Sequence, residues 1–155
     1  MLKWLWLSAL IIALDQWTKN LASELLRPHE PVAVSPFFNL TLMHNTGAAF
    51  SFLSQEDGWQ RWFFIVLAVA VSVVIIVWMH RLATHEKWLA AALALMVGGA
   101  LGNAWDRVQH GYVVDFIQLY YKTFYWPAFN VADSAITVGA VMLIVESFRG
   151  AKKSA

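Results

Sequence analysis

The sequence contains no cysteine and little charge. Charged residues are 14% of the 155 positions, whereas soluble domains carry about 25%. Without cysteine the chain has no disulfide, no thiolate nucleophile and no thiolate metal site. Hydrophobic residues make up 59% of it. This composition excludes an ordinary soluble domain and indicates an integral membrane protein.

Motifs that would mark several other functions are also missing. The net charge of +1 comes with no basic arm, zinc-finger spacing or RNA-binding aromatic motif, so nucleic acid is not an expected partner. The Gly-x-Ser-x-Gly elbow of hydrolases is absent. No His-Glu-x-x-His occurs among the five histidines, which disfavours a zinc intramembrane protease. We expect no metal and no cofactor.

The apolar residues gather into four runs, at about residues 5–26, 62–79, 88–105 and 131–148. Each run is near the ~20 residues with which a helix crosses a bilayer core. The first run follows Lys3 and resembles a secretory signal peptide, but it continues past Asp15 and Lys19 without a small-x-small cleavage site. We predict four transmembrane helices in a single membrane-embedded domain, residues 1–155.

Lysine and arginine near the span ends predict the orientation, because cytoplasmic connections carry an excess of them. One side has Lys3, Arg81, Lys87, Arg149, Lys152 and Lys153, and the other has Arg27, Arg61, Arg107 and Lys122. The larger group belongs to the termini and the short connection. Both termini are therefore expected in the cytoplasm, with residues of about 27–58 and 107–129 outside.

The two outside segments differ in pattern. Residues 31–43 alternate apolar and polar side chains between prolines, which predicts a small sheet on the outer membrane surface. Residues 109–129 are crowded with aromatic side chains, which predicts a loop or helix lying in the membrane interface. The expected fold is an all-α integral membrane protein with a small extracytoplasmic sheet and this interfacial aromatic segment.

Two aspartates are the strongest functional signal. A carboxylate at membrane depth is costly, so it indicates function. Asp115 follows the third span closely, and Asp133 lies about one turn inside the fourth, so both are expected at the outer rim. Two adjacent carboxylates that share one proton are typical of hydrolysis.

Other polar residues in the spans have two interpretations each. Asp15 and Lys19 lie on one helical face, either as a structural pair or holding an outer loop. Asn103 and Arg107 lie one turn apart, either in a structural network or in the site. Asn130 is either a helix N-cap or a site residue.

Glycines punctuate the third span and the first outside segment. Gly98 and Gly102 have the small-x-x-x-small spacing that lets two helices approach closely. Gly47, between His44 and Phe52, suits a surface turn and equally a close backbone approach to a ligand.

Five blocks in order along nearly the whole chain resemble the bacterial lipoprotein signal peptidases, also called signal peptidase II. They are Leu14-Asp-Gln-Trp-Thr-Lys19, His44-Asn-Thr-Gly-Ala-Ala-Phe50, Gly98-Gly-Ala-Leu-Gly-Asn-Ala-Trp-Asp-Arg107, Val113-Val-Asp-Phe-Ile117 and Phe129-Asn-Val-Ala-Asp-Ser134. The resemblance implies a four-span aspartic endopeptidase of the bacterial inner membrane. It would remove signal peptides from prolipoproteins, cutting before a diacylglyceryl-modified cysteine.

The resemblance also implies roles for single residues. Asp115 and Asp133 would be the catalytic dyad, with the active site near the extracytoplasmic face; either aspartate could be the base. Supporting or substrate-binding roles fall to Asp15, Lys19, Asn45, Gly47, Asn103, Arg107, Asn130 and Ala132. The implied partners are diacylglyceryl-prolipoproteins, membrane lipid and the inhibitor globomycin. Arg107 would either orient the peptide backbone or the dyad, or instead meet a lipid phosphate. We expect a monomer.

Two other functions compete with this one. In a small proton-coupled transporter, Asp15, Asp115 and Asp133 would form a relay through the membrane. The shared rim position of two of them and the absence of an inverted repeat oppose that reading. In a non-catalytic assembly subunit, glycine-mediated packing would be the main role of the helices.

Overall fold

The computed structural model describes residues 1–47 and 58–153, with side chains through residue 148. Ala48, Ala49 and Phe50 of the second sequence block lie outside the described residues. The chain order is a 3-10 turn Leu2–Trp4, α1 Leu5–Leu25, β1 Val32–Ser35, β2 Phe38–Asn45, α2 Trp59–Arg81, α3 Lys87–His110, β3 Val113–Tyr121, β4 Phe124–Tyr125 and α4 Val131–Lys153.

The four helices overlie the four apolar runs of the sequence. Three of them, α2, α3 and α4, are long and apolar enough to cross a membrane, as judged over the described part of the chain. Helix α1 has 21 residues, but its second half carries Asp15, Gln16, Lys19 and Asn20. These polar residues lower its apolar content, so composition alone marks three spans and not the predicted four.

Helix α3 is the centre of the bundle, since it packs against α1, α2 and α4. Half of its most apolar window is buried, against 17% for α2 and for α4. Its glycines allow this close packing. A Cβ added at Gly98 would lie 2.9 Å from Ile11 of α1, and one added at Gly102 would lie 2.9 Å from the Asp15 carboxylate. The predicted close approach at these two glycines is confirmed.

The strands form one antiparallel sheet in the order β1-β2-β3-β4. Strands β2 and β3 pair Met43 with Asp115 and Asn45 with Val113. Next to α4, Ile117 and Phe129 exchange backbone hydrogen bonds of 2.9 Å in both directions. The chain is therefore held against β3 immediately before α4 begins, which sets the position of the first turn of that helix.

The predicted sheet is present in residues 32–45, but the prediction of an interfacial loop or helix for the aromatic segment is wrong. Residues 113–121 form β3, and 124–125 form β4. The β-branched and aromatic side chains of this segment favour a pleated surface, and β2 offers an edge that needs a partner. Residues 113–116 are buried, so the segment enters the protein interior at its start.

Candidate active site

Asp115 lies at the start of β3 with 2% of its surface exposed. Its Oδ2 accepts a hydrogen bond of 3.1 Å from Nδ2 of Asn45 on β2. Its Oδ1 accepts one of 2.7 Å from Nδ2 of Asn130. The pairing of β2 with β3 brings Asn45 here, and the Ile117–Phe129 bridge brings Asn130.

Asp133 lies in the first turn of α4 and also receives two donors. Its Oδ1 accepts a hydrogen bond of 2.7 Å from Nδ2 of Asn103 on α3. Its Oδ2 accepts one of 3.3 Å from the backbone N–H of Asn130. Asn130 therefore contacts both aspartates, through its side chain on one and its backbone on the other. The two carboxyl groups predicted to share a rim are brought to one place.

Behind the aspartates lies a buried ion cluster centred on the ammonium group of Lys19. Its Nζ lies 2.7 Å from Oδ2 of Asp15 and 2.9 Å from Oδ2 of Asp106. It also donates a hydrogen bond of 2.9 Å to Oδ1 of Asn103. Three partners use the three ammonium hydrogens, and Asn103 links the cluster to Asp133.

Backbone groups of the site are tied to the same cluster. The N–H of Ala132 donates to Oδ1 of Asp15 at 2.9 Å, and the N–H of Val114 donates to Oδ2 of Asp106 at 3.1 Å. Oδ1 of Asp106 accepts a hydrogen bond of 2.6 Å from Nε2 of Gln16. Asp15 thus pairs with Lys19 and also accepts a backbone hydrogen bond from the first turn of α4.

Arg107 anchors the chain that follows β2. Its Nη2 donates to the carbonyl oxygen of Gly47 at 2.7 Å, and its guanidinium lies over the ring of Phe64, 4.9 Å from the centroid. The N–H of Gly47 donates to Oδ1 of Asn45 at 3.0 Å, which closes a tight turn. Gly47 therefore belongs to a turn that Arg107 holds at the edge of the cavity.

A cavity of about 1000 Å³ opens beside the two aspartates. This is the upper end of the size range of small-molecule pockets. Its polar lining includes Asn45, Asn103, Arg107, Asp115 and Asp133. Its apolar lining includes Leu119, Tyr125, Trp126, Pro127, Ile136 and Val138. Such a cavity can hold an extended peptide with apolar groups against one wall and the carboxyls against the other.

The environment of Asp115 favours its protonated form. Burial, and after it the nearby charge of Asp133, raise the pKa of Asp115 to about 7, against the hydrogen bonds from Asn45 and Asn130 and the charge of Lys19, which lower it. Two carboxyls this close resist double ionisation. One of them can therefore act as an acid while the other acts as a base near neutral pH.

All ten site residues predicted from the sequence lie in the site or in the ion cluster behind it. Sequence reasoning missed Asp106 and Gln16. Asp106 lies inside the third sequence block, and Gln16 inside the first. Asp106 is three residues from Asn103 and Gln16 is three from Lys19, so helical spacing could have found both. Within residues 1–47 and 58–153, no group of three His, Asp or Glu side chains could hold a metal ion.

Comparison with known proteins agrees with the blocks found in the sequence. The profile of the family described as signal peptidase (SPase) II matches residues 7–149. The chain is 51% identical to a lipoprotein signal peptidase of Alteromonas mediterranea, over 99% of this chain and 85% of that one. It is 54% identical to a lipoprotein signal peptidase of Pseudomonas putida, over 97% of this chain and 90% of that one.

Two solved structures have the same fold. A bacterial membrane enzyme determined by the in meso method at 2.3 Å resolution superposes with a TM-score of 0.88 at 28% identity, over 99% of this chain and 92% of that one. A second bacterial membrane enzyme, determined at 1.9 Å, gives 0.79 at 30% identity, over 93% of this chain and 91% of that one.

Proposed function

Because the chain belongs to the signal peptidase II family, we propose that Asp115 and Asp133 are the dyad with which it works. The chain is a membrane peptidase that removes signal peptides from prolipoproteins. One observation carries the assignment of the dyad. Asn130 donates to both carboxyls, by Nδ2 to Asp115 and by its backbone N–H to Asp133, where both line one cavity.

The proposed mechanism uses one proton held between the two carboxyls. The ionised member takes a proton from water, and the water oxygen attacks the scissile carbonyl. The protonated member donates a hydrogen bond to the oxyanion that forms. The tetrahedral intermediate then collapses, the C–N bond breaks, and a proton passes from the dyad to the leaving amine. The dyad returns to one shared proton.

The surrounding amides are proposed to orient the dyad and the peptide. Asn103 and Asn45 each give one N–H to a different aspartate, so the carboxyls cannot rotate freely. Preorganised donors of this kind cost no reorganisation during the reaction. Arg107 holds the Gly47 turn at the edge of the cavity, and we propose that this turn lies along the substrate backbone.

The substrate is proposed to be a diacylglyceryl-modified prolipoprotein, cut before the modified cysteine. The apolar cavity wall, which includes Trp126 and Ile136, suits the residues on either side of the cut. The diacylglyceryl chains would then extend into the bilayer. The inhibitor globomycin, a cyclic peptide, is proposed to occupy the same cavity. The active form is proposed to be a monomer.

The chain is a protein of the bacterial inner membrane, and we propose that α1 is its fourth span. Helix α1 runs alongside α3, because Ser8 donates to the carbonyl oxygen of Ala94 at 2.7 Å and Lys19 donates to Asn103 farther along. If α3 crosses the bilayer, α1 does so beside it. With both termini in the cytoplasm, the dyad lies near the extracytoplasmic face.

The test is cleavage of a synthetic diacylglyceryl-modified prolipoprotein by purified protein in detergent. We expect the wild type to cut before the modified cysteine, and Asp115→Asn and Asp133→Asn each to lose activity by at least about 10⁴-fold, because neither can share the proton. Glu24→Gln, on the exposed side of α1, is the charge-matched control and should cut normally. Normal turnover by either Asn variant would refute the dyad.

A further inference from the structure

The two proposed catalytic aspartates have the same backbone arrangement. The residue before Asp115 is Val114, and the residue before Asp133 is Ala132. Each of these donates its N–H to a buried carboxylate, Val114 to Asp106 at 3.1 Å and Ala132 to Asp15 at 2.9 Å. The dyad therefore sits on two chain segments that are each held one residue upstream of the reacting side chain.

One cation joins the two carboxylates that hold these segments. Nζ of Lys19 lies 2.7 Å from Asp15 and 2.9 Å from Asp106. Asp15 has 0% of its surface exposed, Asp106 1% and Lys19 2%. A buried ion cluster is costly unless its geometry is good and its remaining hydrogen-bond capacity is used. Here the ion-pair distances are short. A second oxygen of Asp106 is also used, because it accepts a hydrogen bond from Gln16.

We propose that Asp106 is a positioning residue which, with Asp15 and Lys19, fixes the separation between Asp115 and Asp133. This inference rests on the proposed function of the dyad. Asp106 accepts the hydrogen bond from the β3 segment, and Asp15 accepts the one from the α4 segment. The Lys19 ammonium binds both carboxylates and so fixes the distance between them. The separation of two carboxyls that must share a proton thus depends on three residues that are almost fully buried and do not line the cavity.

The separation matters because the reaction tolerates little misplacement of the reacting groups. A misplacement of about 1 Å by a change away from the reacting atoms can cost about 10²-fold in rate. Substrate binding depends on the cavity walls, which Asp106 does not line. Loss of the Asp106 contact should therefore lower kcat and leave KM nearly unchanged.

The experiment compares three variants with the wild type in the prolipoprotein assay. Asp106→Ala removes the acceptor for the Val114 N–H, whereas Asp106→Asn keeps an oxygen there. Ser8→Ala is the matched control, since it removes another buried hydrogen bond between α1 and α3, to Ala94. We expect kcat to fall about 10²-fold in Asp106→Ala, with KM changed less than about twofold. Asp106→Asn should recover most of kcat, and Ser8→Ala should keep it.

A second readout needs no turnover. The infrared carboxyl band that disappears in Asp115→Asn is titrated in each variant. Among the residues that the structure describes, the charged groups around Asp115 are Asp133 on α4, Lys19 on α1 and Arg107 on α3. In Asp106→Ala the β3 segment loses its acceptor, so we expect Asp133 to lie farther from Asp115. The midpoint pH for protonation of Asp115 should then fall from about 7. It should stay unchanged in Ser8→Ala.

The outcomes separate two failures. If the wild type does not cut prolipoprotein, the proposed function fails, while the infrared titration still tests the positioning role. If the wild type cuts and Asp106→Ala keeps kcat within about twofold, or loses no more than Ser8→Ala, the positioning role is refuted. Should Asp106→Ala not fold, Asp106→Leu, which fills the space but offers no acceptor to the Val114 N–H, takes its place, and an unchanged kcat and midpoint in that protein would refute the positioning role.

Discussion

Among single residues, Asn130 shows how one side chain can be both structural and functional. Its Oδ1 accepts the N–H of Asp133 at 2.9 Å, and its own N–H donates to Oδ2 of Asp133 at 3.3 Å. This reciprocal pair is a capping box at the start of α4. Its Nδ2 meanwhile reaches Asp115. Asn130 is therefore the N-cap of α4 and also contacts Asp115, as its proposed role in the site requires.

Substitution of Asn130 can separate its two roles. Asn130→Ala should lower the free energy of unfolding by about 1–2 kcal/mol through loss of the cap. Asn130→Ser restores a capping oxygen but cannot reach Asp115, so it should recover stability without activity. We expect both variants to lose about 10²-fold in kcat, measured beside thermal unfolding in detergent. A fully active Ser variant would show that the contact with Asp115 is dispensable.

The pKa of Asp115 predicts a cost in stability at neutral and higher pH. Burial raises this pKa from 3.8 to about 7, so the folded protein binds the proton more tightly than the unfolded chain does. Stability should therefore fall as the pH rises from about 4 to about 7, and level off above. Asp115→Asn carries no charge, so it should be more stable than wild type at pH 8, by at most about 4 kcal/mol.

Melting temperatures from pH 4 to pH 8 test this expectation. The advantage of Asp115→Asn should shrink as the pH falls and vanish near pH 4. Glu24→Gln, exposed on α1, controls for the general loss of a negative charge and should track the wild type. A constant difference between Asp115→Asn and wild type across the range would contradict the raised pKa.

Individual site residues could be predicted from the sequence where a charged side chain would be energetically costly in the membrane. Asp115 and Asp133 stood out because a carboxylate near the bilayer is expensive. Asp106 did not, because it lies just beyond residue 105, where the third span was predicted to end. Its burial depends on Lys19, which is distant in sequence, and no local pattern reports such a partner.

At the scale of elements, the contact between α3 and α4 controls where Asp133 lies. A Cβ at Gly99 would collide with the carbonyl oxygen of Ala132 and lie 2.7 Å from Ile136. Because Ala132 immediately precedes Asp133, a larger residue here displaces the first turn of α4. A Cβ added at Gly139 would also be crowded by α3, 2.6 Å from Met96, but Gly139 lies farther along α4.

Alanine at these two glycines should therefore have different consequences. We expect Gly99→Ala and Gly139→Ala both to lower the melting temperature, with a cost of about 1–3 kcal/mol each from overpacking. At a temperature where both are folded, Gly99→Ala should lose at least about tenfold in kcat and Gly139→Ala little. Equal kcat in the two variants would show that the position of the first α4 turn does not limit the reaction.

Helix positions could be predicted from the apolar runs, but helix ends and the second half of the sheet could not. Helix α3 continues to His110, beyond the predicted residue 105, because Asp106 and Arg107 find buried partners. The aromatic segment suggested an interfacial loop because its crowding hides the period-two alternation. The aromatic segment forms a strand because it pairs with the edge of β2. Pairing between segments that are distant in sequence produces little local sequence pattern.

For the whole molecule, the proposed orientation can be tested directly, since the sequence has no cysteine to give background labelling. His85, exposed between α2 and α3, and Thr123, exposed between β3 and β4, suit single cysteine substitutions. In intact spheroplasts, an impermeant maleimide should label Thr123→Cys but not His85→Cys. Both should react after lysis. The opposite pattern would invert the topology and place the dyad in the cytoplasm.

The global arrangement of the site was the least predictable part. The sequence predicted both aspartates at one rim, and in the structure both line one cavity. The sequence did not predict that Asp15 contacts α4, however. The packing of the first helix against the last depends on the whole bundle and not on a local pattern. Convergence of Asp15, Asp115 and Asp133 at one end also differs from a relay distributed through the membrane, which a transporter would need.

The hydrogen bond between Asp15 and Ala132 joins positions 117 residues apart, and this has a consequence for biosynthesis. A ribosome adds about 5–20 residues per second, so α1 waits roughly ten seconds for the partner that completes its end of the site. Throughout that interval the nascent chain has one carboxyl of the dyad at most. With the proposed dyad, the chain has no peptidase activity before its last helix is inserted, so a chain that stalls or is cut earlier leaves no active protease in the membrane.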